Sequence, residues 1–330
     1  MSAIPTIPAQ KPSPKRYVFL LLPGFSHLSF TCALEALSLA NYSARDRDYY
    51  SWKLVSDGGG PVTGWNGVTV QVDGDLDDLT RHDTLIVCSG LDVGKAASKR
   101  VLSWLRRETR KGMDYGAMNS GAYVLALAGL VDNKQVTVHW EYQAALTELL
   151  PNVQMMDTIY TVDGRVFTCA GGASSMDMIL HRIAQEYGRE LSTWVAEQMV
   201  YTAPRTHSQS QRMSMQGRAG VRHVKLAAAV EIMRDNIEDP LTPGDVADQV
   251  ELSTRQLERL FGKYLSTSPK KYYLMLRLEK SRHLLLQTEL SLTDIGVVCG
   301  FKSQSHFSKS YRAHFGIKPS HETGASRSKG

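Results

Sequence analysis

Over its first 200 residues the chain alternates short β-rich runs with helical patterns, and beyond Val224 the β-rich runs stop. A repeat of two and a repeat of 3.6 require different backbones, so this switch poses two separate folding problems. A length of 330 residues also exceeds one comfortable core. In the first part "RYVFLLL" (16–22) reads as a buried strand, followed by a helix through "TCALEALSLANYSA" and a strand at "YSWKLVS". "GVTVQVD" reads as an outlying strand, "DTLIVCSG" (83–90) as a central one, and "ASKRVLSWLRRETRKG" as an amphipathic helix stopped by glycine. "MDYGAMNSG" runs a strand into a sharp turn, with "AYVLALAGLV" as the helix beyond it. "QVTVHW" is read as a strand, "EYQAALTELL" as a helix, "TIYTVDGRVFTCAGG" as a hairpin, and "SSMDMILHRIAQEYG" and "LSTWVAEQMVYT" as helices. The class implied is α/β, a doubly wound and mostly parallel sheet covered on both faces.

Ligands of such sheets settle outside the carboxyl ends of the strands. The loops after Leu22 and Cys88 and the turn at Asn119 should emerge there together. The stretch "GAMNSGAYVLA" (116–126) has the outline of a nucleophile elbow, but its apex is an amide, Asn119, beside Ser120.

Composition narrows the setting. The first fifteen residues hold four prolines and no apolar run, so 1–15 is expected to be a disordered tail without a secretory signal. No apolar run is long enough to span a membrane. The cysteines Cys32, Cys88, Cys169 and Cys299 show no metal-ligand spacing, which fits reduced thiols in a cytoplasm. No metal, cofactor or membrane partner is expected. Residues 1–220 carry 21 Lys+Arg against 21 Asp+Glu, whereas 221–330 carry 17 against 12. The whole positive excess therefore lies in the C-terminal part, which suits a polyanion.

The stretch 203–222, polar and rich in Ser, Gln and Arg, reads as a linker between a domain at 16–202 and one at 223–322, with a tail at 323–330. The C-terminal domain shows only helical periodicity. A short helix begins at Pro243, a turn falls at "VELS", and a second helix follows with Ser253 as its cap and Leu257, Leu260 and Phe261 facing inward. This is helix-turn-helix spacing. The arrangement recurs in "SLTDIGVVCGF" and in "KSQSHFSKSYRAHFG", where Phe307, Tyr311 and Phe315 face inward from a helix capped by Ser303. The helix between the units, from Pro269 to Gln287, spans roughly 28 Å at about 1.5 Å per residue. Allowing for helix width, the two second helices can enter successive major grooves, roughly 34 Å apart.

The run "LSTRQLERLFGKYLSTSPKKYY" together with "IGVVCGFKSQSHFSKSYRAHFGIKPS" resembles the DNA-binding domain of AraC-family transcriptional regulators over about 100 residues. It implies seven helices and major-groove reading by residues near 253–259 and 303–309. An arginine often follows "KPS" in that family, but here the chain continues "HETGAS". The stretches "GAMNSGAYVLALAGLVDNKQVTVHW" and "GGASSMDMILHRIAQEYG" resemble the sensor of the GlxA-like subgroup, which has a class I glutamine-amidotransferase-like, PfpI-type fold. Overall the sequence is similar to regulators of glycine betaine, carnitine and arginine catabolism.

Catalytic relatives of the PfpI-type fold carry cysteine where this chain has Asn119, and the matching histidine is His139. Their acid has no counterpart in "PGFSHLSFTCAL", where the nearest carboxylate is Glu35. Two of three catalytic elements are thus missing, and no catalytic residue is assigned. A Ser120–His139 amidase or hydrolase with an appended DNA-binding domain is the competing reading. Binding suits the remainder. Asn119 offers donor and acceptors, and Ser120, Gly90, His139, Trp140 and Phe25 are the other effector-site candidates. Trp140, Trp65 or Phe25 could face a quaternary ammonium.

For double-stranded operator DNA the candidates are Ser253, Thr254, Arg255, Gln256, Glu258, Arg259 and Lys263 in the first unit. In the second they are Lys302, Ser303, Gln304, Ser305, His306, Lys309 and Arg312. Arg255, Arg259, Gln304 and His306 are expected to read bases, whereas Lys263, Lys302, Lys309 and Arg312 contact phosphates. Glu258 could accept from a cytosine or pair with an arginine. RNA polymerase and a second copy of the chain, pairing through the sensor, complete the expected partners.

Overall fold

The computed structural model describes residues 13–44, 48–90, 97–201, 203–206, 209–211, 223–288 and 290–322. Most of the expected N-terminal tail, the continuation of the Cys88 loop beyond Gly90, linker residues 212–222 and the tail at 323–330 lie outside the described residues. The chain divides into two compact units, one of residues up to Gln143 with 150–211, the other of 144–149 with 212–330.

The N-terminal unit is a six-stranded sheet. In chain order its strands and helices are β1 (Lys15–Leu21), α1 (His27–Tyr42), β2 (Tyr50–Val55), a small ribbon of β3 (Val62–Thr63) and β4 (Thr69–Val70), β5 (Thr84–Cys88), α2 (Lys99–Thr109), β6 (Asp114–Met118) and α3 (Gly121–Leu127). There follow β7 (Gln135–Val136), α4 (Trp140–Leu149), β8 (Gln154–Met155), β9 (Tyr160–Asp163), β10 (Val166–Cys169), α5 (Ser174–Tyr187) and α6 (Arg189–Gln198). The sheet order is β2-β1-β5-β6-β10-β9, all parallel except for the β9–β10 hairpin. This is the expected α/β class. Alternation along β1 shows why both faces are covered. Tyr17, Phe19 and Leu21 enter the core under α1 and α5, while Val18 and Leu20 are equally buried and by alternation face the other side.

Two strand readings are corrected. "QVTVHW" forms a strand only at Gln135–Val136, which pairs with β8 outside the main sheet. The reason is that the Thr137 N–H donates to the Thr168 hydroxyl (2.8 Å), which takes the backbone off a ladder. "GVTVQVD" contributes only Thr69–Val70 to the ribbon, because the Asp73 N–H and carboxylate turn to Leu54 of β2.

The C-terminal unit is helical. It comprises α7 (Val224–Asp235), α8 (Pro243–Gln249), α9 (Thr254–Leu265), α10 (Pro269–Gln287), α11 (Leu292–Val298), α12 (Gln304–Phe315) and a last helical turn at 319–322. Local chemistry explains the boundaries. Thr242 and Asp245 form a capping box with Pro243 in the first turn of α8, Ser253 and Gln256 do the same for α9, and Ser303 caps α12. Two cores result. Leu226, Val246, Leu257, Phe261 and Leu276 belong to the first, and Leu278, Ile295, Phe307 and Tyr311 to the second. Each such side chain contributes roughly 1.5–3 kcal/mol on burial. The "HETGAS" departure has a structural answer: Glu322 accepts from the Tyr311 hydroxyl and from Arg282 Nε (2.7 Å), closing the last turn onto α12 and α10.

Candidate effector site and DNA-reading surface

At the carboxyl edge of the sheet the segments after β1, β5, β6 and β10 are laced together. Leu22 N–H donates to the Cys88 carbonyl (3.0 Å) and Ser26 N–H to the Ser89 carbonyl (3.3 Å). Phe25 and Gly90 form a β-bridge, and the Gly90 backbone lies so close to the Gly24 carbonyl that no side chain fits there. The Gly172 N–H donates to Ser29 Oγ (2.7 Å), whose hydroxyl reaches Ser26 Oγ (3.0 Å).

Asn119 sits at the centre of this edge in the left-handed region, at φ 59°. Asparagine enters that region more readily than most residues. Its N–H donates to the Cys169 carbonyl (3.0 Å), which pins the apex to β10. Gly171, at φ 90°, passes so near that an added Cβ would stand 2.9 Å from that of Asn119. Asn119 is half-buried, and its carboxamide forms no hydrogen bond with the described residues.

Ser120 is different. It is wholly enclosed, and its hydroxyl donates to the Gly90 carbonyl and lies 3.3 Å from Ser89 Oγ. That hydroxyl is committed to joining the β5 and β6 loops. Burial pushes the neighbouring thiols Cys88 and Cys169 up, so neither offers a thiolate. Glu35 lies exposed within α1, away from any catalytic loop.

Phe25 is fully buried and packs edge-on against Phe30 (5.8 Å), so its ring is enclosed by core. Trp65 is 62% exposed, with its N–H on the Phe25 carbonyl (3.2 Å). His139 and Trp140 are half-buried with ring centroids 5.3 Å apart, and Glu141 Oε2 lies 3.9 Å from His139 Nδ1. Their segment is fixed through Thr137 to Thr168, the register partner of Ala117, two residues before Asn119.

A feature missed by sequence reasoning adjoins this edge. The described residues within 201–211, assigned almost wholly to the linker, are fastened along the N-terminal unit. The Asp177 carboxylate, fully buried in the first turn of α5, accepts from the Tyr201 hydroxyl (2.8 Å), the Arg205 N–H (2.7 Å) and the Arg205 guanidinium (2.8 Å). Ile159 N–H donates to the Gln209 carbonyl (3.0 Å), and Gln211 Nε2 donates to the Val138 carbonyl (2.7 Å). The compact unit accordingly runs to Gln211, past the composition break at 202. The aspartate in "SSMDM" was the only signal available, and a lone aspartate at a helix start reads first as a cap.

In the C-terminal unit every DNA candidate is exposed: Ser253, Thr254, Arg255, Gln256, Glu258, Arg259 and Lys263 around α9, and Lys302, Ser303, Gln304, Ser305, His306, Lys309 and Arg312 around α12. Gln256 Oε1 accepts from Ser253 N–H (2.8 Å) and Oγ–H (3.0 Å), so these two side chains are partly spent on the cap. Lys309 and Arg312 line a cavity of about 510 Å³ with Lys318.

A sheet of this order with a sharp strand-to-helix apex, followed by paired helix-turn-helix units, defines a PfpI-type domain carried on the same chain as an AraC-type DNA-binding domain. Residues 15–185 match the DJ-1/PfpI family and residues 246–323 a helix-turn-helix domain. The chain belongs to the HTH-type transcriptional regulators that combine the two, being 39% identical to the regulator GbdR of Pseudomonas aeruginosa over 96% of this chain and 86% of that one. It is 40% identical to the HTH-type transcriptional regulator CdhR of the same organism, over 92% of this chain and 90% of that one. A solved AraC family transcriptional regulator from Pseudomonas putida is 28% identical, with a TM-score of 0.50 over 56% of this chain and 100% of its own. No helix among the described residues is long and apolar enough to cross a membrane.

Proposed function

We propose that this regulator is an effector-controlled activator of a catabolic operon, that its N-terminal unit senses rather than transforms a small molecule, and that Asn119 anchors that molecule. The observation carrying this reading is the half-buried carboxamide of Asn119, which bonds to none of the described residues, at the edge where four loops meet. A carboxamide with free donor and acceptors recognises a zwitterion's carboxylate without cleaving anything. The ring faces of Trp140 and Trp65 supply what a quaternary or protonated amine needs. The effector class is therefore a small nitrogen compound such as glycine betaine, carnitine or an amino acid. Against a hydrolase stands the enclosed Ser120 hydroxyl, already donating to a carbonyl.

On DNA, α9 and α12 read two successive major-groove segments, with Arg255, Arg259, Gln304 and His306 on base edges. The reading includes a homodimer and contact with RNA polymerase at the promoter. Isothermal titration of the full chain with betaines, carnitine and basic amino acids tests the sensor. Absence of binding across the panel sinks the effector class, and unaltered binding by Asn119→Gly sinks the site.

A further inference from the structure

In the C-terminal unit the two cores meet on α10 between Leu276, which belongs to the first, and Leu278, which belongs to the second. Arg277 stands at this seam. Its Nε donates to the Cys299 carbonyl (2.8 Å) and its Nη2 to the Gly300 carbonyl (2.6 Å). The guanidinium carbon lies 4.2 Å from the centroid of the Phe301 ring. Among the described residues no carboxylate pairs with it, and burial pulls its pKa down. The carbonyls at the C-terminal end of α11 and the ring face offset that cost.

The same face of α10 reaches further in both directions. One turn back, the Tyr273 hydroxyl donates to the Asn236 carbonyl (2.5 Å), in the segment joining α7 to α8. One turn on, Lys280 Nζ approaches the Val298 carbonyl (3.4 Å). Gly300 closes the joint: at φ 71° it presses on the Ile237 carbonyl, and an added Cβ would stand 2.7 Å from the Pro240 ring. The turn of the second helix-turn-helix is thus held between α10 and a loop of the first. Phe301 and Lys302 then lead directly to the Ser303 cap of α12.

We propose that Arg277 is a positioning residue that fixes the distance and angle between α9 and α12, and so sets the spacing of the two base-pair boxes the protein accepts. A long helix with no lateral fastening curves along its length. Three fastenings around Arg277 convert that helix into a rigid gauge. This inference rests on the two-helix DNA reading above.

The test begins by selecting preferred DNA with the full chain and measuring affinity with one base pair inserted or deleted between the boxes. One base pair moves the second box by about 3.4 Å and turns it by about 35°. The native protein should lose about tenfold or more per step, comparable with a mismatched base pair. Arg277→Met should shrink that penalty to about threefold or less, with Arg277→Lys in between. Tyr273→Phe, which removes one hydroxyl, should move in the same direction and decides the matter if Arg277→Met does not fold. Variants that bind more weakly but keep the native spacing penalty would show a merely structural role and overturn the proposal. A selection that returns no paired boxes overturns the two-helix reading instead.

Discussion

Asn119 occupies a backbone position that most L-residues enter at a cost of roughly 1–2 kcal/mol. Two substitutions separate its conformation from its chemistry. Asn119→Gly should leave the melting temperature near native while abolishing the effector-induced thermal shift. Asn119→Ala should abolish the shift and also lower stability by about 1 kcal/mol, since alanine has no ease in this region. Ser120→Ala should cost about 1–3 kcal/mol in urea denaturation, because the Gly90 carbonyl would be left buried without its donor. A Ser120→Ala chain that loses a measurable hydrolytic turnover would instead revive the enzyme reading. The apex at Asn119 was legible in "GAMNSGAYVLA" because a small lead-in, a polar residue and Ser-Gly leave few other geometries. The enclosure of Phe25, Ser120 and Gly90 was not, since burial at a loop is decided by segments far away in sequence.

At the scale of single elements, the proposed reading divides the exposed side chains of α9 and α12 between base readers and phosphate contacts. Arg255→Ala should weaken selected DNA more than random DNA, measured by competition binding at fixed salt. Lys309→Ala should weaken both alike and lower the salt slope by about 1, as loss of one phosphate contact requires. Equal losses for Arg255→Ala would refute its base-reading role. The boundaries of these helices follow local caps, which is why Pro243, Ser253, Pro269 and Ser303 could be placed from sequence. β7 could not be placed the same way. "QVTVHW" has a strand's composition, but the Thr137–Thr168 bond that removes it from the sheet spans 31 residues.

Across the molecule, the switch from alternation to pure helix located two units, whereas their border escaped composition. Acid should strike the N-terminal unit in a defined way. Burial raises the Asp83 carboxyl, but the Arg16 fork and the Thr80 N–H outweigh it and hold the group below its usual range. Glu108 is likewise held low against burial by Lys111, the Leu79 N–H and Arg107. Groups lowered by folding give stability that is present above their unfolded values, near 4, and lost as pH falls towards their folded ones. Urea midpoints should therefore be level between about pH 5 and 7 and fall below about pH 4. Fragments should show the true border. One ending at 202 should be less stable than one ending at 211 by about 1.5–3 kcal/mol, the value of charged hydrogen bonds such as those from Arg205 to Asp177. That fastening also constrains hybrid regulators. A foreign DNA-reading half grafted on at residue 202, where the composition changes, would leave the recipient without the stretch that seals it. Grafts made after Gln211 would transplant only the DNA-binding half and leave the N-terminal unit whole.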